Sequence, residues 1–194
     1  MLTVTGTEMG LPLLGIPNSG VRSQYLNYVW NFCAEKFDHK EIISASNLIA
    51  DAARSGNIRP FVESMISLCS RNSSKCQLKI REGLFQAWFL AFLSWNRIYE
   101  PSPESELRQG YSDILLFPRH RAPDIAHSYI LELKYLNTSA GAADMDKASA
   151  AAADQLACYR QDPRIRLLAQ GTRMHSIIII ISGFDLVLFE EIPG

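Results

Sequence analysis

At 194 residues, 47% apolar and 10% aromatic, the chain is long enough to bury a real core and too apolar to be disordered. Nineteen basic residues stand against twenty acidic ones, and the net charge of −1 disfavours tight, indiscriminate binding to nucleic acid. The four cysteines (Cys33, Cys69, Cys76, Cys158) make no Cys-x-x-Cys pair, no signal-peptide pattern is present, and the longest apolar runs are too short for a bilayer. These features predict free buried thiols and an intracellular protein, cytoplasmic or nuclear.

Gly6, Gly10, Pro12, Gly15 and Pro17 predict an extended arm over residues 1–17. Asn18 or Ser19 is suited to cap a helix over roughly 20–36, with Tyr25, Val29, Phe32 and Cys33 along one side. Ser44 or Ser46 is the expected cap of a second, short helix ending near Gly56. Pro60 suits the first turn of a third helix, roughly 60–70. Residues 1–75 therefore read as an arm and a helical annex, and residues 76–194 as a separate core.

That core opens with an amphipathic helix over roughly 79–95, where Phe85, Trp88, Phe89, Phe92 and Leu93 share a face. Tyr111–Phe117 and Tyr129–Tyr135 read as strands, followed by an alanine-rich helix over roughly 146–161. His175–Ser182 and Asp185–Glu190 read as two strands joined at Ser182-Gly183-Phe184, and the isoleucine run predicts burial on both faces of the first. The order helix–strand–strand–helix–strand predicts an α/β class: a central mixed sheet flanked by helices.

The chemistry concentrates on the two middle strands. Strand periodicity puts Glu132 and Lys134 on one face, with Leu131, Leu133 and Tyr135 on the other. A hairpin centred between residues 122 and 123, within the polar segment from Arg119 to Asp124, sets Asp113 opposite Glu132. Facing like charges destabilise a sheet unless something compensates. Hard Mg²⁺, which favours carboxylate oxygens, would compensate well. Lys134 would point at the same place and could orient a water or stabilise charge building on a phosphate. A bare Glu-x-Lys is more often an ordinary solvated pair, but here the strand is otherwise strongly apolar, and ions in such a strand need a reason.

Two further residues qualify. Glu82 projects from the face of its helix expected to be buried, although the helix dipole alone accounts for a first-turn glutamate. Gln155 and Tyr159 share a face of the alanine-rich helix, beside Ala152, Ala153 and Leu156. Arg119, Arg121, Arg160, Arg164 and Arg166 are candidates for a local basic patch. The four histidines (His39, His120, His127, His175) have no metal-ligand spacing, and nucleophile-elbow, Walker and dinucleotide glycine patterns are absent.

Glu82 in a helix, Asp113 in Gly110-Tyr111-Ser112-Asp113, Glu132-Leu133-Lys134, and Gln155 with Tyr159 together resemble the PD-(D/E)XK, or restriction-endonuclease-like, nuclease superfamily. Ile16-Pro17-Asn18-Ser19-Gly20-Val21 is similar to the Ile-Pro-Asn-x-x-Val segment of the branch often found C-terminal to an AAA-ATPase-like domain. Tyr111 departs from the arginine that branch often carries. The resemblance implies Mg²⁺-dependent phosphodiester hydrolysis, endo- or exonucleolytic, with Mn²⁺ as a substitute metal. DNA is favoured over RNA, and a homodimer or an ATPase-like domain is an expected partner. It makes Asp113 and Glu132 metal ligands, Glu82 an auxiliary ligand, Lys134 the catalytic lysine and Gln155 a supporting residue. The competing reading is a catalytically silent binding or interaction module on the same fold, favoured by the near-neutral charge and Tyr111.

Overall fold

The computed structural model describes residues 3–8, 11–15, 24, 27–28, 30–31, 38–76, 82–96, 98–107, 110–119 and 124–193. For residues 3–15, 72–76, 82–84, 87, 94–95, 100–107 and 110–113 within these, only the backbone is described. The glycine- and proline-rich start is extended, as its composition predicts, but it is also paired. Strands β1 (Thr3–Glu8) and β2 (Leu11–Gly15) form an antiparallel hairpin. Of the helix predicted at 20–36, residues 24, 27, 28, 30 and 31 are described, all helical, with Trp30 buried. Its predicted apolar side (Tyr25, Val29, Phe32, Cys33) lies outside the described residues.

Helix α1 (His39–Ser55) starts earlier than its serines suggest. Asp38 is the cap, its side chain accepting from the Lys40 amide at 2.9 Å, so Ser44 and Ser46 lie inside the helix. The predicted stop holds: Gly56 takes a left-handed φ of 81° and returns its amide to the Ala52 carbonyl. Helix α2 (Arg59–Cys76) carries Pro60 in its first turn and extends past the predicted end at 70. Helix α3 (Glu82–Asn96) follows.

Five strands then build one mixed sheet: β3 (Tyr99–Leu107), β4 (Gly110–Pro118), β5 (His127–Leu136), β6 (Arg173–Ser182) and β7 (Asp185–Glu191), in that spatial order. β5 and β6 run parallel and every other neighbouring pair is antiparallel. The parallel pair needs a crossover, which α4 (Ala142–Arg160) and the short α5 (Pro163–Leu168) supply. Strand β3 is not foreseen from the sequence. Pro101 and Pro103 have no N–H to donate to a ladder, and they are tolerated because β3 is an edge strand.

The sheet has a core on each face. Ile177, Ile179 and Ile181 join Leu131, Leu133, Ile114 and Leu116 under α1, α2 and α3. Ile178 and Ile180 join Ile130, Leu115 and Phe117 under α4 and α5. The isoleucine run therefore alternates between two interiors, each side chain contributing about 2 kcal/mol of burial. On the first face Phe61 of α2 meets Phe89 and Phe92 of α3 at ring separations of 5.9 and 5.5 Å, and Trp30 meets Phe92 edge-on at 5.5 Å. The helices of the N-terminal third thus share a core with the sheet. Cys69 is buried and Cys158 partly buried, and neither is in a disulfide. Among the described residues no helix is long and apolar enough to cross a membrane.

Candidate active site

Strand β5 lies in the middle of the sheet, with a packed core on each of its faces. Glu132 nevertheless sits on it, fully buried, beside Ile130 and opposite Ile178 of β6. Two residues on, Lys134 points the same way and places Nζ 2.8 Å from Glu132 Oε1. The lysine side chain retains 22% exposure and the glutamate 1%. Desolvating such a pair costs several kcal/mol per ion before any attraction is recovered, so hydrophobic residues would serve stability better here. Its presence is a reason to look for chemistry.

Strand β4 meets β5 in the register predicted from the loop composition. Ile114 pairs with Leu131, Leu115 with Ile130 and Leu116 with Tyr129. Continued by one further step, that register would bring position 113 opposite Glu132. Asp113 lies within β4, but its side chain is outside the described residues.

Glu82 is the first residue of α3, and its side chain is likewise outside the described residues. The helix packs on the opposite face of the sheet from Glu132. Its N-terminal end is anchored by Phe85, whose ring lies 6.4 Å from Tyr135 and 6.5 Å from Phe184 in the β6–β7 turn. Tyr135 follows Lys134 directly, so the first turn of α3 sits at the Lys134 end of β5.

Helix α4 lies across the Glu132 face, with Ala152, Leu156 and Tyr159 buried. Its small residues let it approach the strands closely. Gln155, half-buried, donates through Nε2 to the Tyr159 hydroxyl at 3.4 Å. The structure thus places Glu132 and Lys134 in contact and Gln155 on the helix covering their face. At the end of β5, Tyr135, Asn137, Ser139, Asp144 and Lys147 line an open cleft of about 510 Å³. Asn137 and Lys147 escape the sequence reading because nothing local distinguishes them from solvated residues.

The arginines divide. Arg160 is committed to the fold: it donates through Nε to Ser176 Oγ at 2.7 Å, and through its other nitrogens to the carbonyls of Ile192 and Pro193. Arg164 stands 4.0 Å from Asp162, Arg166 is exposed, and Arg121 is outside the described residues. Among the described residues no three His, Cys, Asp or Glu side chains are arranged to hold a metal ion, which leaves positions 82 and 113 untouched.

A mixed sheet with helices on both faces, and an acidic residue and a lysine two apart on its central strand, define an α/β core of the nuclease type. The chain belongs to the PD-(D/E)XK nuclease superfamily, whose family model matches residues 80–191, more than half of the chain. The match takes in α3 and the whole five-stranded sheet with its crossover. Members of this superfamily are in general phosphodiesterase nucleases that use divalent metals such as Mg²⁺ on nucleic-acid substrates. No curated protein matches the chain.

Proposed function

We propose that this chain is a metal-dependent nuclease that hydrolyses phosphodiester bonds, with DNA as the favoured substrate. One observation carries the reading: a buried Glu132–Lys134 pair on the central strand, beside a β4 whose register with β5, continued one residue beyond Ile114↔Leu131, would set Asp113 opposite the glutamate. The donor set is made of hard carboxylate oxygens, which suits Mg²⁺ and not a soft metal. Asp113 and Glu132 would hold the ion and Glu82 would assist from the first turn of α3. Mg²⁺ bound there would activate water and draw charge off the phosphoryl oxygens.

The protein's own residues do the rest. Lys134, held by Glu132, has an ammonium that can swing to the phosphate side and hold the attacking water or the developing negative charge. Gln155, on the helix above, orients the same groups through its amide. The apolar walls around Glu132 exclude bulk water and strengthen each of these interactions. In this reading residues 76–194 are the catalytic core and residues 1–75 an annex that shares its interior.

The test is cleavage of plasmid and single-stranded DNA with Mg²⁺ or Mn²⁺, comparing the chain with Asp113→Ala and Lys134→Ala. Metal-dependent cleavage lost in both variants is the expected result. Cleavage surviving both changes would reject the assigned residues. Saturable Mn²⁺ binding lost in Asp113→Ala, read by calorimetry, separates the enzyme from a silent binding module.

A further inference from the structure

At the far end of the sheet from Lys134, three titratable side chains from three strands form a continuous hydrogen-bonded row. His127 opens β5, His175 lies near the start of β6 and Glu191 ends β7. His127 Nδ1 is 2.8 Å from His175 Nε2, and His175 Nδ1 is 2.7 Å from Glu191 Oε1. Tyr129 stacks on the His175 ring at 5.1 Å with the planes 24° apart. His175 is buried and Glu191 about half exposed, so the row runs from the interior to solvent.

This row abuts the C-terminal end of α1, where the last carbonyls of the helix need partners. They find them at the start of β5. The Ala52 carbonyl accepts from the Tyr129 hydroxyl at 2.7 Å, the Ala53 carbonyl accepts from the Ala126 amide at 2.9 Å, and the Arg54 carbonyl faces His127. Gly56 then turns the chain directly over the imidazoles. A Cβ there would stand 2.9 Å from His127 Cε1 and Nδ1 and 3.1 Å from His175 Cε1.

Proton counting limits the states this arrangement accepts. The two hydrogen bonds of the row use two protons, and the Arg54 carbonyl can take a third from His127. A fourth proton, making both rings imidazolium, sets N–H against N–H across 2.8 Å and breaks the His127–His175 bond. Gly56 lies directly over both rings, so the repulsion between them bears on the α1 end. We propose that His127, His175 and Glu191 form an acid-released latch that fastens the C-terminal end of α1 to the sheet.

The groups facing the pair agree with this direction. His127 is held below the usual histidine range by burial first, then by His175; Arg173 of β6 adds to the lowering, while the Arg54 carbonyl and Glu191 oppose it. Tyr99 donates to the His127 carbonyl at 2.9 Å, and Arg59 of α2 lies over Phe189 of β7 and pairs with Glu63. A histidine whose folded pKa is depressed contributes stability present above its unfolded value, about 6.5, and lost as pH falls below it.

Amide hydrogen exchange of residues 50–56 in the full chain, from pH 7.5 to 5 and corrected for intrinsic exchange, tests the latch. Protection should fall below about pH 6.5 with a slope of up to about tenfold per pH unit, that of one coupled proton. His127→Asn keeps a donor toward His175 but cannot charge, and should flatten the slope. Glu191→Gln removes the countercharge at a half-exposed position and should move the release to higher pH. Unchanged wild-type protection down to pH 5 would overturn the latch, as would an unaltered slope in His127→Asn. Should His127→Asn not fold, a release midpoint unmoved in Glu191→Gln has the same force.

Discussion

Lys134 Nζ and Glu132 Oε1 are 2.8 Å apart on the central strand, on the face of the sheet whose core holds Ile130, Ile178, Ile180, Leu115 and Phe117. The glutamate depends on the lysine, because at 1% exposure it has no bulk water to fall back on. Glu132→Gln should therefore lower stability by about 3 kcal/mol, toward the lower end of the range for breaking a buried pair because Lys134 keeps some solvent. Glu132→Leu combined with Lys134→Met should recover most of that loss while remaining inactive. Urea denaturation of the three proteins, beside a cleavage assay, reads both quantities. A double variant as unstable as Glu132→Gln would mean that the pair is not what the strand is compensating.

Gly56 makes a second prediction. Alanine there meets both a left-handed backbone and the His127 ring at 2.9 Å. Gly56→Ala should cost about 2–3 kcal/mol, combining strain and overpacking. Gly171 also has a positive φ, 88°, but has open space where a Cβ would go. Gly171→Ala should cost only about 1 kcal/mol. Equal losses in chemical denaturation would show that the histidine contact at Gly56 contributes nothing.

The buried phenols predict an alkaline limit. Burial raises the Tyr99 hydroxyl far above the ordinary tyrosine range, with Tyr129 adding to it; Tyr129 is raised by burial and then by Glu191. The neutral form is the folded one, so the stability they contribute is complete below about pH 10 and is lost as pH rises beyond it. Absorbance of phenolate during an alkaline titration should show these two tyrosines ionising only as the protein unfolds. Ionisation with circular dichroism still native would contradict their burial.

Arg160 tests the division between structural and substrate-binding arginines. Its guanidinium ties α4 to Ser176 and to the carbonyls of Ile192 and Pro193. Arg160→Ala should lower stability by about 1–2 kcal/mol through lost hydrogen bonds. Its affinity for a DNA oligonucleotide should stay unchanged in fluorescence anisotropy. A weakened affinity at full stability would return Arg160 to the basic patch.

The Glu132–Lys134 contact and the β4–β5 register were legible in the sequence. Strand parity pairs Glu132 with Lys134 because side chains alternate with a period of two, and the loop centre sets the β4–β5 register because a hairpin has one axis. Both Ile114↔Leu131 and the Glu132–Lys134 contact follow from these rules. The α1 stop at Gly56 was readable for the same local reason, whereas its start was not, since Asp38, Ser44 and Ser46 are all competent caps. Strand β3 was hidden by two prolines that only its position at the sheet edge makes acceptable.

What the sequence determined by itself was periodicity and local register: which residues alternate, where a hairpin turns, and which short motif resembles a nuclease. What only the tertiary structure decided was proximity between distant segments. His127 and His175 are 48 residues apart and meet because β5 and β6 run parallel through a crossover, a pairing that no local pattern encodes. Arg160 turned from a candidate phosphate contact into a tie for the C-terminal strand for the same reason. Local sequence sets the direction in which a side chain points, while the packing of the sheet and helices sets what it meets there.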